Sequence, residues 1–133
     1  FRYKEQHQSY PGRVHGGMIT AMLDEMGLRS LWAKELSEET FGVTISLDTK
    51  YRKPVPYETE LIGRGVVVKN TSHFIITDSY IMDKDGEILA NGRIKYIKMD
   101  TQKIQEGVEV HEEMPYLVED GRTEIEGPFF DNL

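Results

Sequence analysis

The hydrophobic positions of this chain change their period once, and the change separates a helix from a set of strands. From about Gly17 to Leu36 apolar residues cover most of the helical circumference, which predicts a helix buried on all sides rather than lying on a surface. Ser37–Thr40 is a polar connector. Val43–Arg52 then alternates, with Val43, Ile45, Leu47 and Tyr51 on one face and Thr44, Ser46, Asp48, Lys50 and Arg52 on the other. Pro54 and Pro56 end that strand. Thr59–Lys69 reads as a second strand, in which Gly63 and Gly65 mark a bulge or a close backbone approach. Asn70-Thr71 is a turn, His73–Met82 a third strand, and Asp83-Lys84-Asp85-Gly86 a hairpin turn into a fourth, Glu87–Lys98. The Asp-x-Asp-Gly start is shared with calcium loops, but the chain returns directly to strand and supplies no Glu at the far end, so the turn reading stands. Ahead of the helix, Phe1–Lys4 reads as a short strand and Pro11-Gly12 as a turn. One helix followed by four strands on short turns is an α+β pattern: an antiparallel sheet carrying a single helix, and wrapping it.

Composition narrows the picture. A chain of 133 residues is one domain with room for a core. With no Cys, it has no disulfide framework, no thiolate nucleophile and no Cys-based zinc site. No apolar run approaches the roughly 18 residues of a membrane span, and no signal-peptide pattern is present. A soluble cytoplasmic protein is therefore expected, one that has lost at least its initiator Met. The net charge of −7 is uneven, because residues 100–133 hold 10 of the 23 Asp/Glu but only 2 of the 16 Lys/Arg. Residues 1–99 are thus read as the domain and residues 100–133 as an acidic C-terminal extension, partly extended or disordered and dispensable for chemistry. An acidic chain is a poor nucleic-acid binder. Basic positions in the body, among them Arg64, Lys69 and Arg93, are candidates to meet a phosphorylated ligand or are simply solvated strand faces.

The densest candidate chemistry lies in His15–Glu25, HGGMITAMLDE. Gly16 and Gly17 stand where the helix begins, and a backbone without Cβ lets a substrate approach closely. Helix-start N–H groups lack intrahelical partners and carry the positive end of the macrodipole, which suits an anion or an oxyanion. Of the two adjacent acids, Glu25 has Arg29 four residues on, the favourable orientation for an ion pair. Asp24 has Thr20 and Ala21 behind it and Gly27 and Leu28 ahead, with no cation, and is the candidate base. A His at a helix entry either fixes the loop by hydrogen bonds or transfers protons. His7, His73 and His111 lack metal-ligand spacing, and there is no GxSxG elbow, P-loop or dinucleotide fingerprint. No metal or cofactor is expected.

With these elements in order, the chain resembles the hotdog-fold acyl-CoA thioesterases of the phenylacetate-pathway and 4-hydroxybenzoyl-CoA thioesterase superfamily. The resemblance covers about residues 1–98 and rests on Pro11-Gly12-Arg13-Val14-His15-Gly16-Gly17, Leu23-Asp24-Glu25, Tyr51-Arg52-Lys53-Pro54-Val55-Pro56 and Ala90-Asn91-Gly92. It implies a hotdog fold, with an antiparallel sheet wrapped around one long central helix, and hydrolysis of an acyl-CoA thioester. It implies that Gly16 N–H polarises the thioester carbonyl beside Gly17 and His15. Asp24 is then base or nucleophile, and Thr44 the hydroxyl that holds the carboxylate or its water. Some members place Asn or Gln six residues before the His, where this chain has Ser9 with Gln8 adjacent. Asn70-Thr71-Ser72-His73 stands where the family usually has a Gly-Arg-Thr-like turn.

Gly16 and Asp24 are eight residues apart, roughly 12 Å along one helix. A carbonyl on Gly16 N–H must then meet the acid of a neighbouring subunit, so a homodimer, or a tetramer as a dimer of dimers, is expected. Two rival readings share the fold: a non-catalytic acyl-CoA-binding or sensor protein, and a hydratase or dehydratase acting on acyl thioesters.

Overall fold

The structure, a computed structural model, describes residues 1–32 and 40–100. The end of the expected helix and the acidic extension beyond residue 100 lie outside the described residues. Residues 1–4 do not form the expected strand. Instead they exchange single backbone hydrogen bonds with the loop at 58–61: Phe1 and Leu61 bond to each other in both directions at 2.9 Å, and Glu58 N–H donates to Tyr3 O at 2.8 Å. A 3-10 turn, Glu5–His7, leads into two short paired strands, β1 (Gln8–Tyr10) and β2 (Arg13–Val14), joined through Gly12 at φ 78°.

Helix α1 spans Gly16–Trp32, and strands β3 (Thr40–Tyr51), β4 (Ile62–Asn70), β5 (Phe74–Met82) and β6 (Ile88–Asp100) form one antiparallel sheet in the order β3-β6-β5-β4. The hairpin turn before β6 is built as its sequence predicts. Asp83 Oδ1 accepts from Asp85 N–H and Glu87 N–H, both at 2.9 Å, and Gly86 takes φ 84°. No described helix is long and apolar enough to cross a membrane.

Helical geometry decides which residue of α1 meets which strand, because positions four apart line up in rows. Ile19, Leu23, Gly27 and Leu31 are the buried row, lying over β5 and β6. Met26 and Ser30 press on β4, where Gly65 is required: a Cβ there would stand 2.0 Å from the Met26 carbonyl oxygen. Of the two readings of Gly65 the close approach is the one realised, and the irregularity of β4 falls between Val67 and Lys69 instead. Gly16, Thr20, Asp24 and Leu28 form the third row, half-buried along β3. The expectation of a helix covered on all sides is corrected here. Met18, Ala21, Glu25 and Arg29 are exposed, because one four-stranded sheet covers only one side of a helix.

Two apolar clusters support α1. Tyr3, Val14, Ile19, Leu23, Val55, Leu61, Ile81, Leu89 and Ala90 lie under its first half, and Leu31, Ile75, Ile94 and Tyr96 under its second. On β5 the inner-facing series runs Ile75, Thr77, Ser79, Ile81, all buried, so two hydroxyl residues separate the clusters.

Strand β3 departs from strict alternation. Thr44 lies opposite Tyr96 and Ser46 opposite Lys95, so Ile45 is one residue more than β6 can pair. This bulge resets the parity. Thr44 consequently shares the helix-facing side with Leu47, Thr49 and Tyr51, whereas the alternation read from sequence put it on the other face. Val43 and Ile45, expected on the apolar face, are 40% and 53% exposed.

Candidate active site

His15 closes the start of α1 as a cap. Its Nδ1 accepts the Gly17 N–H at 2.9 Å, and its carbonyl takes the N–H groups of Met18 at 3.0 Å and Ile19 at 3.2 Å. With Nδ1 accepting, the ring proton belongs on Nε2. The His15 N–H in turn donates to His7 O at 2.8 Å, which ties the loop down. Gly17, Met18 and Ile19 are thus provided for, and among the described residues Gly16 N–H has no hydrogen-bond partner. The next peptide is held at both ends, its Gly17 N–H by His15 and its Gly16 carbonyl by the Tyr51 hydroxyl, which donates at 3.1 Å. Tyr51 Oη also lies 2.7 Å from Thr20 Oγ1, and Thr20 donates to Thr49 Oγ1 at 3.4 Å. One free donor at the positive end of a fixed helix start is built to receive negative charge.

Two turns along, Asp24 is half-buried, and Thr44 Oγ1 lies 3.0 Å from its Oδ1 and 3.1 Å from its Oδ2. One hydroxyl proton is shared between the two oxygens, so the carboxylate retains most of its accepting capacity. Its backbone carbonyl accepts from the Tyr96 hydroxyl at 2.8 Å. No ion pair to Asp24 is formed among the described residues, whereas Glu25 is bound to Arg29 at 2.6 Å on the exposed side. The neighbouring acids are separated as their sequence contexts predict.

The other sequence candidates are distributed differently. Ser9 is exposed on β1, and Gly17 is exposed with its N–H occupied by His15. Arg64, Lys69 and Arg93 stand opposite Tyr80, Ile76 and Asp78, all on the sheet face away from α1. Arg93 makes two bonds of 2.7 Å to Asp78, and Lys69 Nζ lies 5.6 Å from the centre of the Phe74 ring. The sheet therefore separates these cations from Gly16 and Asp24 of the same chain. Sequence reasoning missed Thr20, Thr49, Tyr51 and Tyr96 as parts of the site. Thr20 was legible as the member of the Gly16-Thr20-Asp24 row between the two candidates, whereas the strand residues depended on register.

A family profile described as the thioesterase superfamily matches residues 11–90. Among curated proteins no relative matches significantly. Solved structures do. A Bacillus halodurans protein crystallised with CoA is 21% identical at TM-score 0.65, covering 74% of this chain and 68% of its own. Mouse thioesterase superfamily member 2 is also 21% identical, at TM-score 0.64 with 73% and 70% covered. A Streptococcus pneumoniae hypothetical thioesterase with coenzyme A is 18% identical at TM-score 0.65, with 75% of each chain covered. At these identities the structures speak for the fold, one helix on an antiparallel sheet in the hotdog arrangement. The profile reaches further, because its span takes in the capped helix start, Asp24 and Thr44, and on that match the chain belongs to the thioesterase superfamily.

Proposed function

We propose that this protein hydrolyses acyl-CoA thioesters. The observation that carries the reading is the free Gly16 N–H at a helix start whose neighbouring donors are all occupied. A thioester carbonyl placed there gains most as its oxygen becomes an oxyanion, which is the condition for lowering the barrier rather than only binding. Asp24, held by Thr44, removes a proton from water while the water oxygen bonds to the carbonyl carbon. As the tetrahedral intermediate collapses its C–S bond breaks, the departing CoA sulfur takes the proton that Asp24 had removed from water, and the acid is released with Asp24 again a carboxylate. Direct attack by the carboxylate, giving a mixed anhydride that water opens, satisfies the same geometry. In either route His15 supports the loop and needs no proton transfer of its own. The structures with bound CoA on this fold support the choice of thiol, and a CoA thioester fits an intracellular setting.

The separation of Gly16 from Asp24 along α1 asks for a second copy. Strand β3 is an edge strand of 12 residues, its outer backbone edge unpaired among the described residues and Val43 and Ile45 exposed on it, a strand that invites pairing with another chain. We propose that β3 pairs with β3 of a second copy about a two-fold axis, bringing Asp24 of one α1 toward Gly16 of the other. Pairing of dimers into a tetramer belongs to the same proposal: since the sheet separates Arg64, Lys69 and Arg93 from Gly16 and Asp24 of their own chain, they are proposed to meet the CoA phosphates of a substrate bound at another subunit. Light scattering is expected to give at least a dimer; fully active monomers would remove the shared site.

The deciding experiment is a thiol-release assay over short, long and aromatic acyl-CoAs. Turnover on at least one of them is expected. Tight binding of acyl-CoA without thiol release from any would establish the sensor reading instead.

A further inference from the structure

Asp24 is gripped at both ends by residues that face each other across two strands. Thr44 of β3 donates to the carboxylate, and Tyr96 of β6 donates to the backbone carbonyl. These two residues are direct register partners in the β3–β6 ladder. The bulge at Ile45 is what lets Thr44 occupy that position while the rest of β3 keeps its alternation. Since the Asp24 carbonyl already serves α1 as an i to i+4 acceptor, the tyrosine bond is additional to the helix.

The surroundings of Tyr96 are arranged around its hydroxyl. The residue is 1% exposed, and Thr77 and Ser79 beside it are fully buried; among the described residues neither Oγ has a well-formed hydrogen bond, Thr77 Oγ1 standing only near enough to the phenol to act on its ionisation. All three hydroxyls converge on Gly27: a Cβ there would lie 2.4 Å from Tyr96 Oη, 2.5 Å from Thr77 Oγ1 and 3.2 Å from Ser79 Oγ. Burying hydroxyls without partners opposes folding, and so does a glycine inside a helix. An all-apolar set of similar shape would fill the same space without the cost of the buried hydroxyls, so stability alone does not account for the cluster. Burial first, and then the neighbouring Asp24 charge, push the Tyr96 phenol well above its usual range, although the nearby Thr77 hydroxyl pulls the other way. It therefore remains a neutral donor at any working pH.

We propose that Tyr96 is a positioning residue for Asp24, forming with Thr44 a two-point clamp that sets the height and rotation of α1 at the carboxylate. The proposal rests on the reading of Asp24 as base or nucleophile. Tyr96 touches no reacting atom and acts through the backbone of Asp24. Thr77 and Ser79 keep the space around the phenol open to a hydroxyl, and Gly27 lets the helix come down onto it.

The test is a kinetic cycle on the 133-residue chain, in whatever assembly it forms, with Tyr96→Phe, Thr44→Val and the pair, alongside Asp24→Asn. The clamp predicts that Tyr96→Phe lowers kcat by about 10-fold, with KM within about twofold. It also predicts that Tyr96→Phe costs less in the Thr44→Val background, since one clamp is lost by breaking either arm. Should Tyr96→Phe fold poorly, Thr77→Val is added to remove a hydroxyl left beside the phenyl ring, and the same criteria apply to that variant. An unchanged kcat for folded Tyr96→Phe, or effects of the two substitutions that simply multiply, overturns the clamp. Asp24→Asn separates the two levels. If it keeps full turnover, the assignment of Asp24 fails and the clamp with it; if it is inactive beside an unimpaired Tyr96→Phe, only the clamp fails.

Discussion

Asp24 and Glu25 are adjacent in sequence and opposite in circumstance. Glu25 spends its charge on Arg29 at the surface, while Asp24 meets hydroxyls and, among the described residues, no cation. Asp24→Asn is expected to lower thioester hydrolysis by about 100-fold or more, the range for losing acid–base catalysis, while leaving acyl-CoA binding in place. Glu25→Gln is expected to keep near-normal turnover and to cost a few tenths of a kcal/mol in helix stability. Thiol release and thermal melting on the two variants check both, and a reversed pattern would overturn the assignment of faces. This much was legible in the sequence, because an i to i+4 partner is local. The contact of Thr44 with Asp24 was legible only through the family resemblance, since its own alternation pointed the other way. Burial raises the phenols of both Tyr3 and Tyr96. A tyrosine whose folded pKa lies above its unfolded value contributes stability that is complete below about pH 10 and lost as pH rises beyond it. Urea midpoints are expected to fall above about pH 10, and to fall less steeply in Tyr96→Phe.

At the scale of elements, the four strands and the helix followed from period and turn chemistry, because hydrophobic spacing and Asx or Gly turns act over a few residues. The N-terminal segment was misread since four residues of strand-like composition found single loop bonds rather than a ladder. The bulge in β3 carried no local signal: Ile45 alternates well on paper, and only pairing with β6 makes it the extra residue. Close packing of α1 on β4 gives a direct test at this scale. Gly65→Ala would set a Cβ against the Met26 carbonyl, a backbone atom that can yield only if the helix lifts. A loss of about 1–3 kcal/mol is expected from overpacking, measured by urea denaturation. An unchanged midpoint would mean that α1 rests less closely on the sheet.

At the scale of the whole molecule, sheet order lay beyond the sequence, because the β3–β6 pairing joins segments separated by all of β4 and β5. That order makes β3 an edge strand of the described sheet, the edge on which the proposed dimer depends. The acidic stretch from residue 104 to 133 carries no candidate site residue, and its charge repels a polyanionic ligand. Its removal is expected to leave turnover per folded site within a few-fold, measured by thiol release on a preparation shown to keep its oligomeric state. Loss of activity with the oligomer intact would place that stretch at the acyl group.

The hydroxyl pair on β5 has a further consequence, for how the protein breathes. Thr77 and Ser79 part the interior into two apolar clusters, and α1 bridges the gap at Gly27. Clusters with separate memberships open as separate units, each with its own free energy. Native-state hydrogen exchange in low denaturant is expected to release the α1 amides before Gly27 and those after it in two isotherms; a single shared isotherm would show one cooperative block. Asp24 then stands one turn from a seam, where a small change in either half is felt by the carboxylate without the whole molecule coming apart.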